Sequence, residues 1–163
     1  MYQFHEMTER YLDEVLRIYS HYVLNTTATF HSSQPTREDM KKLVFYEREC
    51  YRAFVISAGE EICGYVFITQ HKAREAYDGT AEVSVYLKPA YIGQGLGSLA
   101  VKHIEDFAKN QGLHVLVATI TGENDKSISL FARNGYEKCA HYKEVGQKFG
   151  RRLDVVAYQK ILD

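Results

Sequence analysis

Thr80 to Ser98 reads TAEVSVYLKPAYIGQGLGS, and the change of period inside it decides the architecture. In TAEVSVYL, Ala81, Val83, Val85 and Leu87 alternate with Thr80, Glu82, Ser84 and Tyr86, the two-residue repeat of a strand with one apolar and one more polar face. Pro89 closes that strand, because proline has no N–H to give to a ladder. YIGQGLG leads into a helix whose apolar positions are Leu96, Leu99, Ala100, Ile104, Phe107 and Ala108, one stripe that Gly112 stops. A strand therefore runs through a glycine-rich turn into a helix, and the rest of the chain is read outward from that unit.

Upstream, AFVIS and ICGYVFITQ flank a turn at Gly59 and read as a hairpin. Before them, Leu12, Val15, Leu16, Tyr19, Tyr22 and Val23 make a helical stripe, and Tyr2 to Met7 a short strand. Thr36 with Asp39 has the form of a capping box for a second helix carrying Met40, Leu43 and Val44, and the polar run NTTATFHSSQP between the two helices is a loop. Downstream, HVLVATI is an apolar strand and Asn124 to Asn134 a short helix with Ile128, Leu130 and Phe131, ended by a left-handed cap at Gly135. Two last strands, around Tyr136–Val145 and Leu153–Ile161, flank a turn GQKFGRR. The order β, α, α, β, β, β, α, β, α, β, β predicts a mixed α/β fold, one sheet with helices on both faces. No linker or repeat divides it, so residues 1–163 read as a single domain.

Composition excludes several functions. Twenty Lys and Arg against twenty-one Asp and Glu leave a net charge of -1, which argues against a broad nucleic-acid groove. Cys50, Cys63 and Cys139 form no CxxC pair, and the histidines lack metal spacing, so neither a disulfide framework nor a metal site is expected. No apolar run approaches the roughly 18 residues of a membrane span, and MYQFHEMTERY lacks a basic-then-apolar leader pattern. The expectation is a reduced, cytoplasmic protein that uses neither membrane nor nucleic acid.

The glycine turn is the sharpest candidate site. Gly93, Gly95 and Gly97 permit unusual dihedrals and close approach of a ligand, and the opening turn of the following helix offers free N–H groups. A phosphate-bearing ligand is the physical expectation, with a plain turn as the alternative. A Walker loop and a Rossmann fingerprint both fail on spacing. Glu82, in mid-strand one element earlier, is either a poorly solvated general base or a carboxylate facing water. Lys72 and Arg74, in the connection HKAREAYDG, suit a substrate carboxylate or are solvated loop charges. His71 is their loop neighbour. Asn124 is a helix cap or a carbonyl-binding amide, Ser127 lies one turn on, and His21 reads as a packed, hydrogen-bonded histidine ahead of a catalytic one.

Together these segments resemble the GCN5-related N-acetyltransferase superfamily. The family's acetyl-CoA motif is Gln or Arg, two residues, Gly, one residue, Gly or Ala; here Ile92-Gly93-Gln94-Gly95-Leu96-Gly97 keeps the glycines and departs at Ile92. A later motif is met by Asn124, Ser127, Phe131 and Gly135-Tyr136, with Phe131 where many members carry a tyrosine general acid. IYSHYVLNTTATF, KAREAYDGTAEVSVYLKP and EVGQKFGRRLDVVAYQ are similar to the branch that acetylates phosphinothricin and methionine sulfoximine. The resemblance implies the acetyltransferase fold with a central, mostly antiparallel mixed sheet, and direct transfer from acetyl-CoA to the primary amine of a small amino acid-like substrate, with no metal. It implies Glu82 as general base and acetyl-CoA contacts at Val85, Tyr86, Leu87, Ile92, Gly93, Gln94, Gly95, Leu96, Gly97, Ser98, Asn124, Ser127 and Phe131. Substrate contacts are implied at Ala28, Phe30, Lys72, Arg74 and Glu82, and a homodimer as the working form. Other acceptors (protein N-termini, polyamines, aminoglycosides) and a non-catalytic acyl-CoA-binding domain are the alternatives.

Overall fold

A computed structural model describes residues Met1–Asp163. Its strands are β1 (Tyr2–Glu6), β2 (Arg52–Ala58), β3 (Glu61–Gln70), β4 (Thr80–Leu87), β5 (Val115–Thr121), β6 (Glu137–Lys148) and β7 (Arg151–Ile161). Its helices are α1 (Leu12–Asn25), α2 (Arg37–Val44), α3 (Leu96–Asn110) and α4 (Asp125–Arg133). The strands form one sheet in the order β1-β2-β3-β4-β5-β7-β6, antiparallel everywhere except between β4 and β5. The mixed, mostly antiparallel α/β fold expected from the sequence is present.

Alternation along the strands divides the apolar residues between two faces. On one face Leu12, Val15, Tyr19 and Val23 of α1 and Met40 and Val44 of α2 pack on Val55, Tyr65 and Phe67. On the other, Leu96, Ala100, Val101 and Ile104 of α3 and Phe131 of α4 pack on Ile56, Val66, Ile68, Leu116 and Ile120. Each Leu or Ile fully withdrawn from water contributes about 1.5–3 kcal/mol. The Thr36 capping box forms as expected: its hydroxyl accepts from Asp39 N–H at 3.1 Å, and the Asp39 carboxylate accepts from Thr36 N–H at 3.0 Å.

Two readings are corrected. Leu99 is 50% exposed, and Val101 takes its place against the sheet, because α3 turns its buried stripe toward β3 and leaves Leu99 outside. GQKFGRR is not a seven-residue turn. β6 runs to Lys148 and β7 starts at Arg151, so only Phe149 and Gly150 turn the chain. Both have positive φ, 53° and 71°, the pairing of a tight hairpin whose twist matches its strands. Asn-Gly or Asp-Gly would have announced that turn, and Phe-Gly does not.

The sheet is not closed from edge to edge. β4 and β5 pair only from Thr80–Glu82 to Val115–Val117. Beyond Glu82, β4 stays with β3 as far as Leu87, while β5 stays with β7 as far as Thr121. Val83–Leu87 and Ala118–Thr121 thus diverge and open a split in the middle of the sheet, with backbone polar groups facing into it. A buried edge of that kind needs a partner for its N–H and C=O groups.

Candidate active site

The split is the floor of a cleft of about 980 Å3. Its walls are Val83–Leu87 of β4, Ala118–Ile120 of β5, the glycine turn, and Asn124–Ser127 at the start of α4. The end of α1 and the loop Thr26–Ala28 complete it, with Phe149 and Arg151 from the last hairpin.

At the glycine end, Gly93 and Gly95 are left-handed, with φ of 83° and 82°, and a Cβ built on either meets nothing within 4 Å. Backbone conformation, not crowding, requires glycine there, and the open space beside it is room for a ligand. Gly95 is the N-cap of α3, whose first-turn amides have no intrahelical partner and carry the positive end of the helix dipole. Gly97 serves packing: a Cβ there would lie 3.0 Å from the end of the Leu130 side chain, which would have to give by a few tenths of an ångström. Asn124 proves to be a cap, its Oδ1 accepting from Ser127 N–H at 3.2 Å. Phe131 is 3% exposed, meets Tyr136 edge to face at 5.0 Å, and still borders the cleft.

Val85, Tyr86, Leu87, Ile92, Gly93, Gly95, Gly97, Asn124, Ser127 and Phe131, among the acetyl-CoA contacts that the resemblance implies, and Ala28, an implied substrate contact, all line this cleft. Three neighbours in the motif do not. Leu96 is wholly buried in the core. The Gln94 amide donates to Ala90 C=O at 2.9 Å, and the Ser98 hydroxyl accepts from Asn134 at 3.0 Å. Their side chains are turned to the core, to Ala90 and to Asn134 rather than into the cleft.

Glu82 lies on the β4 face that carries Tyr86. Its Oε2 is 2.9 Å from His71 Nδ1, and its Oε1 accepts from the Thr119 hydroxyl at 3.2 Å. Thr119 itself borders the cleft, so the carboxylate stands one residue behind the wall, half-buried. Lys72 and Arg74 are exposed on the connection 71–79 and do not line the cleft. Phe30 is 41% exposed and packs over Gly146 of β6, where a Cβ would come within 2.4 Å of its ring. His21 sits at the cleft mouth, edge-on to Tyr22.

The sequence reading did not find the staples that hold the loop after α1. Thr121 donates to Thr27 C=O at 2.5 Å, and Thr27 donates to Glu123 at 2.7 Å. Arg151 grips the same Glu123 with two bonds, of 3.1 and 3.0 Å. That fork, with the Thr27 bond, holds the Glu123 carboxyl below its ordinary value. Lys148, 4% exposed, donates to Thr29 C=O at 2.7 Å, and burial pushes its ammonium below the usual lysine value. Thr29 in turn bonds Tyr19 at 2.7 Å, and Tyr86 lies within 5.4 Å of the Tyr19 and Tyr22 rings. These partners are 94 to 119 residues from the loop for Thr121, Glu123 and Lys148, so no local signal pointed to them. No cluster of three or more His, Cys, Asp or Glu is placed to hold a metal ion, and no helix is long and apolar enough to cross a membrane.

Comparison with known proteins agrees with this geometry. Residues 5–157 match the family model described as an acetyltransferase (GNAT) domain. The chain is 35% identical over 158 residues to a phosphinothricin N-acetyltransferase of Streptomyces coelicolor, covering 94% of this chain and 92% of the relative. It is 37% identical over 155 residues to an L-methionine sulfoximine/L-methionine sulfone acetyltransferase of Pseudomonas aeruginosa, covering 93% and 90%. Among solved structures, a ribosomal-protein-alanine N-acetyltransferase of Brucella melitensis superposes with a TM-score of 0.93 at 32% identity, covering 98% of this chain and 99% of that one. A GNAT superfamily phosphinothricin acetyltransferase of Sinorhizobium meliloti in complex with acetyl-CoA gives 0.93 at 26% identity, covering 99% and 88%.

Proposed function

This chain belongs to the GNAT family of acetyltransferases, and we propose that within it the protein acetylates the primary amine of a small amino acid-like molecule such as phosphinothricin, methionine sulfoximine or methionine sulfone. It is an acetyl-CoA-dependent N-acetyltransferase. The observation that carries the acceptor reading is the joint likeness to phosphinothricin and methionine sulfoximine enzymes over nine-tenths of both chains.

The cleft suits acetyl-CoA: Gly93 and Gly95 leave open space where side chains would stand, and the first-turn amides of α3 favour the pyrophosphate. Lys126 and Arg133 add positive charge along the α4 wall. Acetyl-CoA supplies the activated acetyl group. The open edge of β4 at Val85–Leu87 offers N–H groups for negative charge developing on a carbonyl oxygen. Glu82 is the base. An amine with a pKa near 10.4 is neutral in about 1 molecule in 1,000 at pH 7.4, and recovering that form costs about 4 kcal/mol. A carboxylate one residue behind the wall, directly or through a water, can take the ammonium proton. Phe131 has no proton to give, so the departing thiolate is protonated from elsewhere. Arg74 and Lys72, at the outer edge of the Glu82 side, are assigned to the acceptor's acidic end. Ala28 and Phe30 are assigned to its side chain.

We further read residues 1–163 as one domain, since a single sheet carries every strand, and as a homodimer. Tyr142, Val145 and Phe149 of the last hairpin and Ile161 are more than half exposed, an apolar surface a second copy would cover. Its three cysteines are free, in keeping with a cytoplasmic location. A second reading, acetylation of a protein N-terminus, is favoured by the name of the Brucella neighbour. Thiol release from acetyl-CoA decides between them when kcat/KM is measured for phosphinothricin, methionine sulfoximine, methionine sulfone, ordinary amino acids, spermidine, an aminoglycoside and an alanine-leading peptide. Turnover concentrated in the first three supports the reading, and preference for the peptide replaces it with the second.

A further inference from the structure

We propose that His71 is a positioning residue for the Glu82 carboxylate, an inference that rests on the reading of Glu82 as the base. β3 ends at Gln70 opposite Ala81, and Thr69 faces Glu82, so the first residue to leave β3 emerges beside the Glu82 side chain. His71 does not continue outward with the exposed connection that follows it. Its ring turns back and places Nδ1 2.9 Å from Oε2. A carboxylate oxygen accepts, so Nδ1 is the donor of this bond. Tyr77, in the short turn Glu75–Tyr77 of the same connection, meets the ring edge-on at 5.7 Å and closes its outer side. The imidazole is 20% exposed and the carboxylate 31%, so neither is a freely rotating surface group.

Two donors thus meet two oxygens, His71 on Oε2 and Thr119 on Oε1. A carboxylate bonded at one oxygen swings about that bond; bonded at both, its plane is set, and one lone pair on each oxygen remains for substrate or water. Orientation of this kind is a rate term: a base displaced by about 1 Å loses on the order of 100-fold. The bond also ties the substrate-side connection with Lys72 and Arg74 to the base, so the two halves of the acceptor site are set by one side chain.

The test compares His71→Leu with His71→Asn, alone and in a Glu82→Gln background, reading kcat and both KM values with methionine sulfoximine as acceptor. Asparagine keeps an N–H donor close to the place of Nδ1 and discards the imidazole. Expected are a kcat lowered about 10- to 100-fold in His71→Leu, an acetyl-CoA KM within about twofold of wild type, and a kcat restored to within about threefold in His71→Asn. His71→Leu should also have no further effect once Glu82 is glutamine. The unchanged acetyl-CoA KM certifies that the variants are folded. Wild-type kcat in His71→Leu, equal loss in both His71 variants, or the same loss in the Glu82→Gln background would each overturn the proposal. Glu82→Gln at wild-type speed would remove the base itself, and the proposal with it; a slow Glu82→Gln beside a fast His71→Leu would remove only His71.

Discussion

At the glycine end of the cleft the groups on offer are consecutive backbone atoms between β4 and α3, whereas at the Glu82 end they are side chains gathered from several separate segments. Gly93, Gly95 and the α3 amides present backbone groups of one continuous stretch, with side-chain support from Leu130 and Asn134 behind it. Glu82 needs His71 from the β3–β4 connection and Thr119 from β5. The loop facing it needs Thr121, Glu123, Lys148 and Arg151. On the proposed reading, a phosphate-bearing carrier is met by a largely local backbone device. On the same reading, the acceptor is met by a device that any of several segments can disturb. Binding of the carrier and choice of acceptor are then, on the proposed reading, under separate control.

The comparison breaks first at Glu82. Glu82→Gln keeps the size and leaves the glycine turn untouched, so kcat should fall about 10²- to 10⁴-fold while acetyl-CoA binds as before. A parallel loss of acetyl-CoA affinity, seen by calorimetric titration, would show that the two ends are not independent. The converse change is Gly95→Val. At φ 82° a residue with a Cβ is strained by about 1–2 kcal/mol, and a branched one by more. The acetyl-CoA KM should rise about tenfold, and the ranking of acceptors should stay the same. A changed ranking would mean that the glycine turn also shapes the acceptor end.

The same difference explains what could be read from the sequence. The strand TAEVSVYL, the glycine turn and the α3 stripe are local patterns, and the structure carries them with one exchange, Val101 for Leu99. Thr36 and Gly135 act as the caps their residue types suggest. The opening between β4 and β5 had no signature, because it arises where two strands that each keep another partner part company. His71 looked like a loop neighbour of Arg74, since its partner Glu82 lies across a connection whose path periodicity does not specify. Lys148 and Arg151 looked like turn residues, because Phe149 at positive φ hides a two-residue hairpin. Chemistry carried by side chains from distant segments became visible only with the register of the sheet.

The smallest effect sharpens the comparison from the packing behind each end. The face beneath the acceptor side is phenolic: burial raises the hydroxyls of Tyr19, Tyr22, Tyr46, Tyr65 and Tyr86 above their ordinary value of 10.0. The face behind the glycine turn is mostly aliphatic. A phenol whose value is raised on folding keeps its proton longer in the native state. Above pH about 10 the native protein therefore holds more protons than the unfolded chain, and stability falls as pH rises further; below that the term is constant. Tyr65 isolates it, because its hydroxyl is fully buried and without a hydrogen-bond partner. Removing an unpartnered buried hydroxyl leaves no orphan behind, so Tyr65→Phe should leave the Tm at pH 8 unchanged or slightly higher. Between pH about 9 and 11 its Tm should decline less steeply than that of the wild type. Parallel declines would mean that the Tyr65 hydroxyl is no harder to ionise in the folded protein than in the unfolded chain, and that the phenolic face is better solvated than its packing indicates.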